Sequence, residues 1–143
     1  MADRPPRIAC DFDGVIHSYV SGWVEGSIPD PPVDGAIEWL EETSKKCEII
    51  IFSARLQDES NLTKVKRYLV DHGLSTEALA RLDFKPKPGA TIYLDDRAWQ
   101  FNGKNFPTVE EVKNFRPWND VTEDGRDLFD SLKEVFSDDG GFW

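Results

Sequence analysis

Cysteine is scarce in this chain: Cys10 and Cys47 are the only two in 143 residues. Two thiols cannot staple a small scaffold, and no CxxC pair offers a zinc site. Long apolar runs are missing as well. The longest, Ile49-Ile50-Ile51-Phe52, falls far short of the roughly 20 residues that a membrane-spanning helix needs. The opening Met1-Ala2-Asp3-Arg4-Pro5-Pro6 lacks the apolar core of a secretory signal. The expectation is a cytoplasmic protein with no membrane partner. Basic residues are in deficit, 17 Lys and Arg against 27 Asp and Glu, for a formal charge of −10. That excludes a general duplex binder, which must neutralise many phosphates, and a protein drawn to anionic lipid. A small phosphorylated substrate is compatible with it, because a metal ion and two or three local cations outweigh the global field. Repeats and low-complexity tracts are absent.

What the chain does have is a core. Hydrophobic residues make up 39% and aromatics 12%, too much for a disordered polymer. The length fits one domain, 1–143, able to bury roughly two-thirds of its unfolded surface. Three short apolar runs read as buried parallel strands: Arg7-Ile8-Ala9-Cys10-Asp11, Cys47-Glu48-Ile49-Ile50-Ile51-Phe52-Ser53 and Thr91-Ile92-Tyr93-Leu94-Asp95. Helical patterns lie between them. Residues 34–46 carry Ile37, Trp39 and Leu40; residues 60–72 carry Leu62, Val65 and Leu69, with Gly73 as a stop. Thr108-Val109-Glu110-Glu111 is a capping-box pattern, and Leu128, Phe129, Leu132, Val135 and Phe136 have helical spacing. Alternation of this kind predicts an α/β fold with a parallel sheet and right-handed crossovers, whose ligands sit at the carboxyl ends of the strands. All three runs end in a residue with usable chemistry: Asp11, Ser53 and Asp95.

The first of these ends is the densest. Asp11-Phe12-Asp13-Gly14 sets two carboxylates two residues apart where a strand gives way to a turn. Carboxylates so close are costly together unless a cation neutralises them. Ser53-Ala54-Arg55 follows the second run, Lys85-Pro86-Lys87-Pro88 precedes the third, and Asp95-Asp96-Arg97 closes it. This ordered set resembles the four motifs of the haloacid dehalogenase-like (HAD) phosphohydrolases, over residues 7–106. The Ser-x-Arg and Asp-Asp-Arg runs are similar to those of polynucleotide kinase 3′-phosphatase domains.

The resemblance implies a three-layer α/β/α Rossmann-like fold and an Mg²⁺-dependent phosphatase. Asp11 would be the nucleophile that becomes an aspartyl-phosphate, and Asp13 the general acid and then base. Ser53 would donate to a phosphate oxygen, and Lys87, with Lys85 in reserve, would neutralise charge. Asp11 and Asp95 would hold Mg²⁺ directly, Asp13 would face it through its backbone carbonyl and Asp96 would be a ligand or an outer partner, while Arg55, Arg97 and Gly14 would meet substrate. The chemistry has its own logic, since an anionic carboxylate attacks an anionic phosphate only when cations remove the repulsion.

No cap domain is expected, because neither the stretch after Gly14 nor that between Ser53 and Lys87 is long enough to hold one. The second is filled by helix 60–72 and a short strand. The site should then be open, gated only by a flap over 17–31 that carries His17, Tyr19 and Trp23. An open site favours a nucleotide or nucleic-acid terminal phosphate. Another small phosphate monoester is the alternative, and a non-catalytic binding module on the same fold is the rival from a different class. The extension 117–143 is open to two uses, closing the fold or joining a homodimer.

Overall fold

A computed structural model describes residues 4–120. The expected amphipathic stretch from Leu128 to Phe136 lies outside the described residues. In chain order the elements are β1 (Arg7–Cys10), α1 (Ala36–Thr43), β2 (Glu48–Ser53), a 3-10 turn (Ala54–Gln57), α2 (Ser60–Asp71), α3 (Thr76–Arg81), β3 (Leu82–Pro86) and α4 (Val109–Lys113). The strands form a parallel sheet in the order β1-β2-β3, with Cys10 opposite Ile51 and Ser53 opposite Pro86. Parallel neighbours need a crossover. Helix α1 supplies the first, and α2 with α3 the second. The chain is therefore α/β, as its alternating pattern predicts.

β2 is the central strand, and its burial alternates. Ile49, Ile51 and Ser53 are shut away from solvent, while Ile50 and Phe52 are half-buried. Around the buried face gather Phe12 and Ile16 from the turn after β1, Ala36 and Leu40 from α1, and Val65 and Leu69 from α2. Each large apolar side chain withdrawn in this way is worth about 1.5–3 kcal/mol. In α1, Gly35 takes a left-handed φ of 83°, which a side chain would resist, and the helix then places Ala36, Ile37 and Leu40 inward. Trp39 works sideways: its ring stacks on Phe106 at 5.1 Å and its Nε1–H donates to the Pro107 carbonyl at 2.8 Å. Gly73, at φ 108°, ends α2 as expected, and the Leu74 N–H returns to the Leu69 carbonyl. At α4 the capping box is complete, with Thr108 and Glu111 each accepting the other's backbone N–H.

Residues 91–95 depart from expectation. They are irregular and exposed, with Ile92 at 72% and Leu94 at 97%, and form no strand. The third strand is Leu82–Pro86, in the stretch where only a minor strand was expected. Tyr93 supplies the physical reason. Its hydroxyl donates to the Pro88 carbonyl at 2.5 Å and its ring lies 3.8 Å from Lys87 Nζ, so the chain doubles back on the lysine. The outer edge of β1 has no strand partner among the described residues. Cys10 and Cys47 lie at opposite ends of neighbouring strands, both free and buried. No helix among the described residues is long and apolar enough to cross a membrane.

Candidate active site

Parallel strands put their carboxyl ends on one edge, and this edge collects Asp11 after β1, Ser53 at the end of β2 and Lys87 just past β3. The Lys87 N–H donates to the Ser53 carbonyl at 3.1 Å, continuing the ladder one step beyond the strand. That step turns Lys87 inward. Lys85, on β3 itself, is exposed. Lys87 is buried, with its Nζ 3.3 Å from Asp11 Oδ2 and close to the rings of Phe52 and Tyr93. Lys87 is thus the lysine that meets the first carboxylate.

Asp11 keeps 35% of its side chain exposed, so the carboxylate is accessible. Its Oδ1 accepts the Phe12 N–H at 2.8 Å. Burial pushes its carboxyl above the ordinary range, and Lys87 and the Phe12 N–H only partly pull it back. Neighbouring Cys10 is a different matter. Burial first, and Asp11 second, push its thiol up to about 12, which leaves it protonated and inert.

Asp13 is held far more tightly. Arg55 Nε donates to Oδ2 at 2.9 Å and Nη2 to Oδ1 at 2.8 Å, a two-pronged grip. His17 Nδ1 adds a third contact to Oδ1 at 2.8 Å. The other arm of Arg55, Nη1, donates to the carbonyls of Gly26 and Ser27 in the flap. Arg55, expected to grip phosphate, is fully buried in its side chain and directs four of its five N–H donors to Asp13 and the flap. Trp23 lies over the guanidinium at 4.8 Å while remaining 56% exposed, so it packs the flap onto the body.

Ser53 acts as a cap, its Oγ accepting the Arg55 N–H at 3.2 Å in a fully buried setting. Gly14, at φ 90°, makes the turn after Asp13, and its N–H is taken by the His17 carbonyl at 2.8 Å. Asp95, Asp96 and Arg97 sit on the exposed segment, where the Asp95 carboxylate accepts the Arg97 N–H at 2.8 Å. Trp99 is 43% exposed, its Nε1–H donating to the Asn105 carbonyl at 3.4 Å. Among the described residues no three His, Cys, Asp or Glu side chains gather into a metal-donor group. Asp95 and Asp96 stand on the exposed segment and do not join Asp11 in such a group. In this arrangement the residues do not fit the ion.

Two contributors escaped the sequence. Asp30 is buried, offers its N–H to His17 Nε2 at 3.1 Å, and takes both the N–H and the hydroxyl of Ser21. Those two donors hold its carboxyl below the usual range. Tyr68 donates its hydroxyl to the Asp30 carbonyl at 2.8 Å, and burial pushes its phenol up. The run Ile28-Pro29-Asp30-Pro31-Pro32 was the available signal, since a lone acid between prolines has few conformations to choose from. No family model, no curated protein and no solved structure matches this chain.

Proposed function

We propose that this chain is a phosphate monoester hydrolase of HAD type in which Asp11 accepts the phosphoryl group. The observation that carries the reading is the accessible Asp11 carboxylate paired with buried Lys87 at 3.3 Å, with Asp13 two residues on. A carboxylate oxygen of Asp11 attacks phosphorus, the bond to the ester oxygen breaks, and Asp13 supplies the proton that oxygen needs. Water then attacks the aspartyl-phosphate, giving up a proton to Asp13 and releasing inorganic phosphate. Lys87 offsets negative charge beside the nucleophile throughout. The finer fold belongs to this reading: a three-layer α/β/α core without a cap.

The proposed substrate is a nucleotide or nucleic-acid terminal phosphate. Between β1 and α1 lie the flap and its turns, and between β2 and β3 the 3-10 turn, α2 and α3, so among the described residues no separate domain covers Asp11. Mg²⁺ enters through the motif resemblance alone, since the described residues do not gather around such an ion, and no step above is routed through it.

The test is a turnover assay on nucleotides, 3′-phosphorylated oligonucleotides and sugar phosphates, with Mg²⁺ and with chelator. Release of phosphate by the parent and its loss in Asp11→Asn are expected. Binding of phosphate esters without turnover of any would reject the enzyme and favour a binding module.

A further inference from the structure

Trp23 stands on the flap with more than half of its surface in solvent. One face of its ring lies on the Arg55 guanidinium, whose carbon is 4.8 Å from the ring centre, which leaves the opposite face and the edge to water. Beneath the ring the guanidinium grips Asp13, two residues from Asp11. The indole is therefore one side chain away from the carboxylates of the site. Val20 and Val24, from the same stretch of flap, are exposed too. Three apolar side chains left in water beside a reactive carboxylate cost the free protein something, and they mark a surface that meets a ligand.

The backbone around Trp23 is tied down on both sides. Arg55 Nη1 donates to the carbonyls of Gly26 and Ser27, the Ser21 N–H and hydroxyl both reach the Asp30 carboxylate, and the Ser27 N–H returns to the Val24 carbonyl at 2.9 Å. Tyr19 and Glu25, neither of them glycine, take left-handed φ values of 60° and 49°. Such conformations are costly and persist only where the surroundings impose them. A ring fixed in this way loses little freedom when a partner arrives.

We infer that the open face of Trp23 is the stacking platform for the base of a nucleotide whose phosphate meets Asp11. The inference rests on the phosphatase reading and adds to it the residue that tells a nucleotide from a sugar phosphate. Sugars and bases both lie on indole faces, and the cation behind Trp23 decides between them. It draws π density toward the inner face. The open face is then a weaker partner for the C–H groups of a sugar and a stronger one for the electron-rich plane of a base. The side chains of Val20 and Val24 offer no donor or acceptor to sugar hydroxyls. Every base has a π-face, so the platform selects for the presence of a base above its identity.

The 3′- and 5′-monophosphates of adenosine and the matching ribose phosphates share a ribose and a phosphoryl group and differ in the base. Trp23→Leu, which keeps an apolar side chain and loses the ring, is expected to raise KM for the adenosine ester about tenfold or more, hold kcat within about twofold and leave KM for the ribose ester unchanged. Trp23→Phe keeps a ring on Arg55, and with it the flap, and should fall between Trp23→Leu and the parent. Equal rises on both esters, or no rise on either, would overturn the role. The indole N–H resonance of Trp23, assigned in ¹⁵N correlation spectra by its absence from Trp23→Phe, should move on adding adenosine monophosphate and stay in place with ribose phosphate. A resonance that the nucleotide leaves unmoved overturns the inference whatever the parent hydrolyses. A parent inactive on every ester, with the Trp23 resonance still moved by the nucleotide, overturns the phosphatase reading and leaves the stacking face standing.

Discussion

Arg55 and Asp13, 42 positions apart in sequence, form a two-pronged ion pair in which both carboxylate oxygens meet guanidinium nitrogens, at 2.8 and 2.9 Å. The guanidinium has no exposed surface and the carboxylate little. Removing one partner of such a pair strands the other, at a cost of about 3–5 kcal/mol. Arg55→Met is therefore expected to lose about that much in chemical denaturation. Arg55→Lys should recover little of it, since an ammonium cannot span both oxygens and the flap carbonyls. A loss below about 1 kcal/mol for Arg55→Met would remove the clamp from the account.

Asp11 should weaken the fold it serves. Burial raises its carboxyl in the folded chain above the unfolded value, so the folded state holds that proton more tightly. Stability then falls as pH rises through the interval from the unfolded value, about 3.9, to the raised one. Asp11→Asn escapes this loss. The variant should melt above the parent at pH 7, with the gap closing as pH falls below the unfolded value, while turnover disappears. A parent that melts higher than Asp11→Asn at pH 7 would contradict the sign.

Lys87 and Lys85 should separate cleanly. Lys87→Ala removes the cation beside Asp11, which every substrate needs, and should slow alkyl and p-nitrophenyl esters alike, by about 10²–10³. Lys85 is exposed on β3, and Lys85→Ala should leave both rates unchanged. The reverse ranking would move the functional lysine two residues back.

Asp13→Asn carries a leaving-group signature instead. An alkoxide departs poorly without a proton and a nitrophenolate departs readily, so the alkyl ester should suffer by far the larger loss in single turnover. Equal losses would end the general-acid assignment.

Leu94 gives a test of stability alone. At 97% exposed it touches little, and Leu94→Lys should change unfolding free energy by no more than about 0.5 kcal/mol. A loss of about 2 kcal/mol or more would mean that residues 91–95 pack as the strand their composition suggests.

β1 and β2 were legible because Ile8-Ala9-Cys10 and Ile49-Ile50-Ile51 are short, apolar and flanked by polar residues. So were α1, α2 and the Thr108 cap, whose patterns are local. Strand β3 was harder. Leu82-Asp83-Phe84-Lys85-Pro86 holds an acid, a base and a proline, and is a strand because it pairs with β2 on one side and needs no cover on the other. Thr91-Ile92-Tyr93-Leu94 has the better composition and no partner. Propensity alone cannot rank two such runs when pairing decides. At the site, Asp11 followed from its place at the end of a strand-forming run, and Lys87 from the order of motifs in the resemblance. The union of Asp13 with Arg55 and His17 did not, because a side chain's partner across 42 residues leaves no mark on its own neighbourhood.

The flap is bound at its middle as well as at its base. Gly26 and Ser27 are held through Arg55, and Asp30 through Tyr68, so swinging it aside would dismantle the support of Asp13 at the moment it is needed. It serves as a wall where a door was expected. On the phosphatase reading, substrate would approach over Asp11 and along Lys87 and Tyr93, and turnover is expected to be independent of any opening motion of residues 17–31.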